Sequence, residues 1–199
     1  MQSICVYCGS KPGSSPVYVE RAAALGRLIA GEGLRLIYGG GNTGLMGAVA
    51  GGALAAGGEV TGVIPRQLVD WEVAHHGLTT LEIVGTMHER KARMFDLSDA
   101  FVALPGGFGT AEEMFEMLTW RQLGIGKKPC AFLDVNGYYA PLIGMIEHMV
   151  IEGFLHPEQR QDLWHGSDPA HMLAWMRAYA AAPADSDNWR QSAPGQLLQ

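Results

Sequence analysis

Short apolar runs alternate along this chain with longer segments whose apolar residues recur every three or four positions. The runs at 3–8, 34–38, 59–64, 79–84, 100–104 and 130–133 have the length and composition of strands. The periodic segments at 16–30, 45–56, 87–97, 112–123, 138–152, 157–163 and 169–180 have the length of helices. Ser15 stands at the N-cap position of the first, and Gly31 and Gly33 stop it. Residues 66–77 have no clear period and read as a loop or short helix. Alternation of this kind predicts an α/β domain: βαβ units with right-handed crossovers, giving a doubly wound, mainly parallel sheet with helices on both faces. That domain spans 1–182. Residues 183–199, rich in Asp, Ser, Pro, Gly and Gln, read as a loose tail.

Ligands in such folds sit at the carboxyl ends of the strands, near a reversal of strand order. Three glycine-bearing turns fall at such ends: Gly9-Ser10, Gly39 to Gly44, and Gly106 to Gly109. The last follows a strand and opens a helix, as a phosphate cradle does. Glycine lets the backbone approach an anion, and the helix start supplies N–H groups and a positive dipole end. Glu113 adds a carboxylate for which a bare phosphate site has no electrostatic use. Two readings stay open for it. One is chemistry beside the phosphate. The other is a capping box, Thr110-Ala111-Glu112-Glu113, in which the glutamate reaches back to the helix N-cap. The turn from Gly39 to Gly44 reads as wrapping a phosphate or sugar. It lacks clean G-x-G-x-x-G spacing and the following acidic residue of a dinucleotide site.

Arg90 shares its helical face with Met87, Met94 and Leu97, so a charge is expected to point inward, where it must pair or line a cleft. Lys91 and Arg93 lie off that stripe and read as solvated. Thr86-Met87-His88-Glu89 reads as a capping box for the same helix.

Composition narrows the function further. The net charge is −6 and no Lys/Arg block stands out, which argues against a nucleic-acid partner. No apolar stretch approaches the roughly 20 residues of a membrane helix, and no basic n-region marks a secretory signal. Three cysteines fit a reducing cytoplasm. Cys5 and Cys8 have C-x-x-C spacing but lie on a strand, where they point to opposite faces and read as buried thiols. His75-His76 has no further ligand at metal spacing, so neither a metal nor a cofactor is expected.

The block Pro105-Gly106-Gly107-Phe108-Gly109-Thr110-Ala111-Glu112-Glu113 matches the PGGxGTxxE signature of the LONELY GUY proteins, which are cytokinin riboside 5′-monophosphate phosphoribohydrolases long mislabelled as lysine decarboxylases. Cys8-Gly9-Ser10, Gly39-Gly40-Gly41-x-x-Gly44-Leu45-Met46-Gly47, Val63-Ile64-Pro65 and Met87-His88-x-Arg90-Lys91 resemble that family's other blocks, in the same order. The likeness runs from about residue 3 to about 152; Lys11-Pro12 departs from it where a second serine is common. It implies a modified Rossmann-like fold and hydrolysis of the N-glycosidic bond of an adenine-type nucleoside 5′-monophosphate. Arg90 and Glu113 would be catalytic. Gly9, Ser10, Gly40, Gly41, Met87, Lys91, Gly106, Gly107, Gly109 and Thr110 would contact the substrate. The resemblance also implies a homodimer with its pocket close to the subunit interface. The surroundings of the base N6 would come from residues 71–76, from the helix around Trp120, or from a partner subunit. The alternative is a non-catalytic nucleotide- or cofactor-binding carrier of the same fold, which leaves the carboxylate without a task.

Overall fold

The computed structural model describes residues 1–69 and 74–181; the tail expected at 183–199 lies outside them. Among the described residues the chain runs β1 (Ser3–Tyr7), α1 (Pro16–Gly31), β2 (Arg35–Tyr38), α2 (Gly44–Ala55), β3 (Val60–Pro65), α3 (Arg66–Val69), β4 (Thr80–Val84), α4 (Met87–Leu97), β5 (Ala100–Ala103), α5 (Phe108–Leu123), β6 (Cys130–Leu133), α6 (Ala140–Ile151), α7 (Pro157–Gln161), β7 (Leu163–Gly166) and α8 (Pro169–Ala181). The seven strands form one parallel sheet in the order β4-β3-β2-β1-β5-β6-β7. The chain builds outward from β1 to β4, then returns and builds the other way from β5. Strand order therefore reverses between β1 and β5.

The central strands are apolar without alternation because both faces of the sheet are covered. All residues of β1 are buried. One face packs against α1, α2 and α8 through Leu25, Ile29, Val49 and Met176. The other packs against α4, α5 and α6 through Met94, Met114 and Ile146. The small residues of α2 have a purpose here. A Cβ on Gly26 would lie 2.1 Å from the Val49 carbonyl oxygen, and one on Gly52 would lie 2.2 Å from that of Ala23, so these glycines let α1 and α2 touch backbone to backbone. Ser15 does occupy the N-cap of α1, with Pro16 following, yet its side chain makes no cap hydrogen bond among the described residues.

The expected helix at 157–163 is shorter than its sequence suggests. It ends at Gln161, and Leu163–Gly166 becomes an edge strand paired with β6. Leu163 and Trp164 are consecutive and both buried, in opposite core layers. A sheet buries neighbours on two faces in this way, and a helix does not.

Candidate active site

A cleft of about 590 Å³ opens at the switch point, between the carboxyl ends of β1 and β5. Its size suits a small organic ligand. The β1 end contributes Gly9 and Ser10, the turn after β5 contributes Gly106 and Gly107, and the helices contribute Met87, Arg90, Gly109, Thr110 and Glu113. The two loops are laced together. The Gly9 N–H donates to the Pro105 carbonyl at 3.0 Å, and the Leu45 N–H donates to the Gly9 carbonyl at 3.0 Å. A Cβ on Gly9 would stand 3.3 Å from the Gly106 Cα, and one on Gly106 would collide with Thr110 Oγ1 at 2.1 Å. The turn is also held from the side of β6. The Tyr139 hydroxyl donates to the Leu104 carbonyl at 2.7 Å, and the Tyr138 hydroxyl donates to the Gly106 carbonyl.

Gly107 and Gly109 differ from these. A Cβ at either would meet no described atom within 4 Å. Neither has a left-handed backbone, and Gly107 sits at φ −91°. Backbone geometry and protein packing would both accept a side chain at these positions.

The helix α5 starts at Phe108 with Gly107 as N-cap, four residues before the expected start at 112. This overturns the capping box at 110–113. Thr110 is already the third helical residue, and Glu113 lies in the second turn, beyond reach of the N-cap N–H. Its carboxylate instead faces Arg90, with Oε1 3.7 Å from Nη1. Arg90 and Glu113 are both buried, at 5% and 9% exposure. The inward orientation read from the apolar stripe holds for Arg90. Its Nε donates to the Val63 carbonyl at 3.1 Å and its Nη2 to the Gly39 carbonyl at 3.2 Å. These acceptors lie on β3 and just beyond β2, so the sheet itself fixes the guanidinium. A Cβ on Gly39 would stand 2.1 Å from Nη2, which explains glycine there. A buried guanidinium held by two carbonyls still needs a countercharge, and Glu113 supplies it.

The start of α4 is a variant of the expected capping box. Thr86 Oγ1 accepts from the Glu89 N–H at 3.1 Å, but the Glu89 carboxylate accepts from the Gly85 N–H, one residue before the N-cap, at 2.8 Å.

Lys91 corrects a sequence expectation: it is buried, not solvated. Its Nζ lies 2.5 Å from Glu112 Oε1 and 3.0 Å from Glu116 Oε1. Burial pushes this ammonium group down, but the hydrogen bonds to Glu112 and Glu116 outweigh it and hold it above the ordinary lysine range. Arg93 remains exposed and forks onto Glu82 at 2.6 and 2.9 Å.

Gly9, Ser10, Met87, Gly106, Gly107, Gly109 and Thr110 thus line the cleft with Arg90 and Glu113, whereas Lys91, Gly40 and Gly41 do not. Gly40, at φ +80°, packs toward Ile64 and accepts from the His75 N–H at 3.0 Å, and Gly41 bridges to Ala74. Tyr18, Leu68 and Tyr138 line the cleft and are not singled out from sequence, and Met46 of the quoted Gly44-Leu45-Met46-Gly47 block lines it too. Tyr138 arrives on the loop after β6, directly after the left-handed pair Asn136-Gly137. Trp71 lies outside the described residues. Trp120 packs edge-on against Phe95 at 5.0 Å and does not line the cleft. Cys5 and Cys8 fall in opposite core layers. Burial pushes both thiols well above the usual range, and the Glu113 carboxylate adds to it, so neither is a nucleophile. His75 Nδ1 accepts from the Gly77 N–H at 3.2 Å.

Known proteins resemble this chain over most of its length. The family model described as "Possible lysine decarboxylase" matches residues 46–176. A cytokinin riboside 5′-monophosphate phosphoribohydrolase of Rhodococcoides fascians is 53% identical over 178 residues, covering 89% of this chain and 90% of that protein. The Arabidopsis thaliana enzyme of the same name, LOG7, is 42% identical over 176 residues, covering 88% of this chain and 81% of that protein. Among solved structures, the molybdenum cofactor carrier protein of Chlamydomonas reinhardtii superposes with a TM-score of 0.69 at 23% identity, over 91% of this chain and 99% of that one. That likeness is one of fold alone.

Proposed function

This chain belongs to the LONELY GUY family, and we propose that it hydrolyses the N-glycosidic bond of cytokinin riboside 5′-monophosphates, and of AMP, to free base and ribose 5-phosphate. The observation that carries the reading is the buried Glu113–Arg90 pair, one helical turn below two glycines whose missing side chains leave open space. The 5′-phosphate sits against the N–H groups of the first turn of α5, where the helix dipole is positive. Gly107 and Gly109 leave room for the phosphate to approach the backbone. Remote binding energy then places the ribose over Glu113.

Cleavage builds positive charge on the ribose ring as the C1′–N9 bond lengthens. The Glu113 carboxylate stabilises that charge and orients a water. The water oxygen bonds to C1′ as the C1′–N9 bond breaks, one water proton passes to Glu113, and transfer of one proton to the departing purine through solvent gives the neutral base and restores the carboxylate. Arg90 pairs with Glu113 and aims it. The base extends toward Met46, Leu68 and Met87.

The protein acts in the cytoplasm, in keeping with three buried, unbridged cysteines. Its partner is a second copy of itself, packed over the exposed Leu123, Ile125, Ile151 and Phe154. Incubation with AMP and with isopentenyladenosine 5′-monophosphate, followed by chromatography, releases free base from the wild type and loses it in Glu113→Ala. No release from either substrate refutes the enzymatic reading.

A further inference from the structure

Two adjacent residues of α4 face two adjacent sides of α5. Arg90 meets Glu113, and Lys91 is clamped between Glu112 and Glu116, one helical turn apart. Lys91 is absent from the cleft lining, so its place beside the catalytic arginine is not explained by contact with the substrate. Glu112 does line the cleft, at its phosphate end, and its side chain is 55% exposed there. An uncompensated carboxylate at that point repels an incoming phosphate. Glu116 depends on Lys91 in another way, because its Oε2 is buried without a hydrogen bond in the structure.

We propose that Lys91 is a positioning residue for this reaction, which neutralises Glu112 beside the phosphate site and locks α5 to α4 so that Glu113 stays aligned with Arg90. It acts through two carboxylates and touches no substrate atom. The inference rests on the phosphoribohydrolase reading for its kinetic effects, but its electrostatic half is a matter of binding alone.

The test compares wild type, Lys91→Met, Lys91→Met/Glu112→Gln and Glu112→Gln/Glu116→Gln, with AMP as the substrate and with the AMP dissociation constant measured by calorimetry. Lys91→Met raises KM and the dissociation constant about tenfold and lowers kcat about tenfold. Adding Glu112→Gln restores KM and the dissociation constant to within about twofold of wild type, while kcat stays low because Glu116 is still unpaired. If Lys91→Met proves too unstable to purify, Glu112→Gln/Glu116→Gln removes the ionic clamp while leaving two amide oxygens that can accept from the Lys91 ammonium. There kcat falls about tenfold and KM does not rise.

Affinity that stays weak in Lys91→Met/Glu112→Gln means that Lys91 grips the phosphate itself, and the proposal fails. Wild-type kcat in Glu112→Gln/Glu116→Gln also overturns it. Absence of turnover in the wild-type protein instead refutes the enzymatic reading and leaves the calorimetric comparison to decide the role of Lys91.

Discussion

The turns after β2 and after β5 have nearly the same composition and opposite physical uses. Glycines after β2 are required by the protein. Gly39 makes room for the Arg90 guanidinium, Gly40 packs toward Ile64, and Gly44, at φ +57°, would drive a Cβ to 2.4 Å from the Ser10 carbonyl carbon. After β5, Gly106 is filled against Thr110 in the same manner, but Gly107 and Gly109 face empty space at the mouth of the cleft. Open space alone marks no site, since Gly51 and Gly144 have it too, but Gly107 and Gly109 also line the cleft. The first turn builds the floor that fixes Arg90, and on the proposed reading the second receives the ligand.

Substitutions separate the two roles. The largest effect falls on the carboxylate that the β5 turn delivers. Glu113→Gln keeps shape but loses charge, and kcat drops about 10³-fold in a base-release assay while the protein stays folded. Next, Gly44→Ala costs about 3 kcal/mol in urea unfolding, because strain and collision coincide there. Gly107→Ala shows the reverse. Its unfolding free energy stays within about 0.5 kcal/mol of wild type, and KM for AMP rises about tenfold, equivalent to about 1.4 kcal/mol. Equal losses of stability in Gly44→Ala and Gly107→Ala would erase the distinction between the turns.

The smallest effect concerns the opposite end of the same two strands. Burial pushes the Asp99 carboxyl up, but the N–H groups of Gln2 and Ser3, at 2.5 and 3.1 Å, outweigh it and hold it below its ordinary value of 3.8. A carboxyl depressed in the folded state stabilises the protein above its unfolded value and loses that contribution as pH falls through the folded one. Acid unfolding of wild type therefore steepens slightly below about pH 4, and Asp99→Asn flattens that limb by only about 0.3 kcal/mol, because solvent screens this exposed carboxylate. Catalysis at neutral pH is unchanged, since Asp99 lies at the amino ends of β1 and β5.

Legibility from sequence followed the same division. Strands β1, β2, β3, β5 and β6 are readable because burial on both faces writes a largely apolar run, whereas the half-exposed edge strand β4 is readable from its β-branched residues alone. The last strand was not, since four residues next to a helix show no period. Arg90 announced itself as a charge on an apolar stripe. The role of Glu113 stayed ambiguous because Thr110 mimics an N-cap, and nothing local reveals that Gly107 takes that position. Lys91 looked solvated because its two partners lie on a different helix. Tyr138 was missed because it reaches the β5 turn from a loop distant in sequence.

The most direct measurement is a crystal structure of Glu113→Gln with AMP bound. The phosphate is expected on the N–H groups at the start of α5, with C1′ of the ribose within about 4 Å of the residue 113 side chain. A phosphate seated on the turn after β2, or an anomeric carbon far from residue 113, would contradict the account.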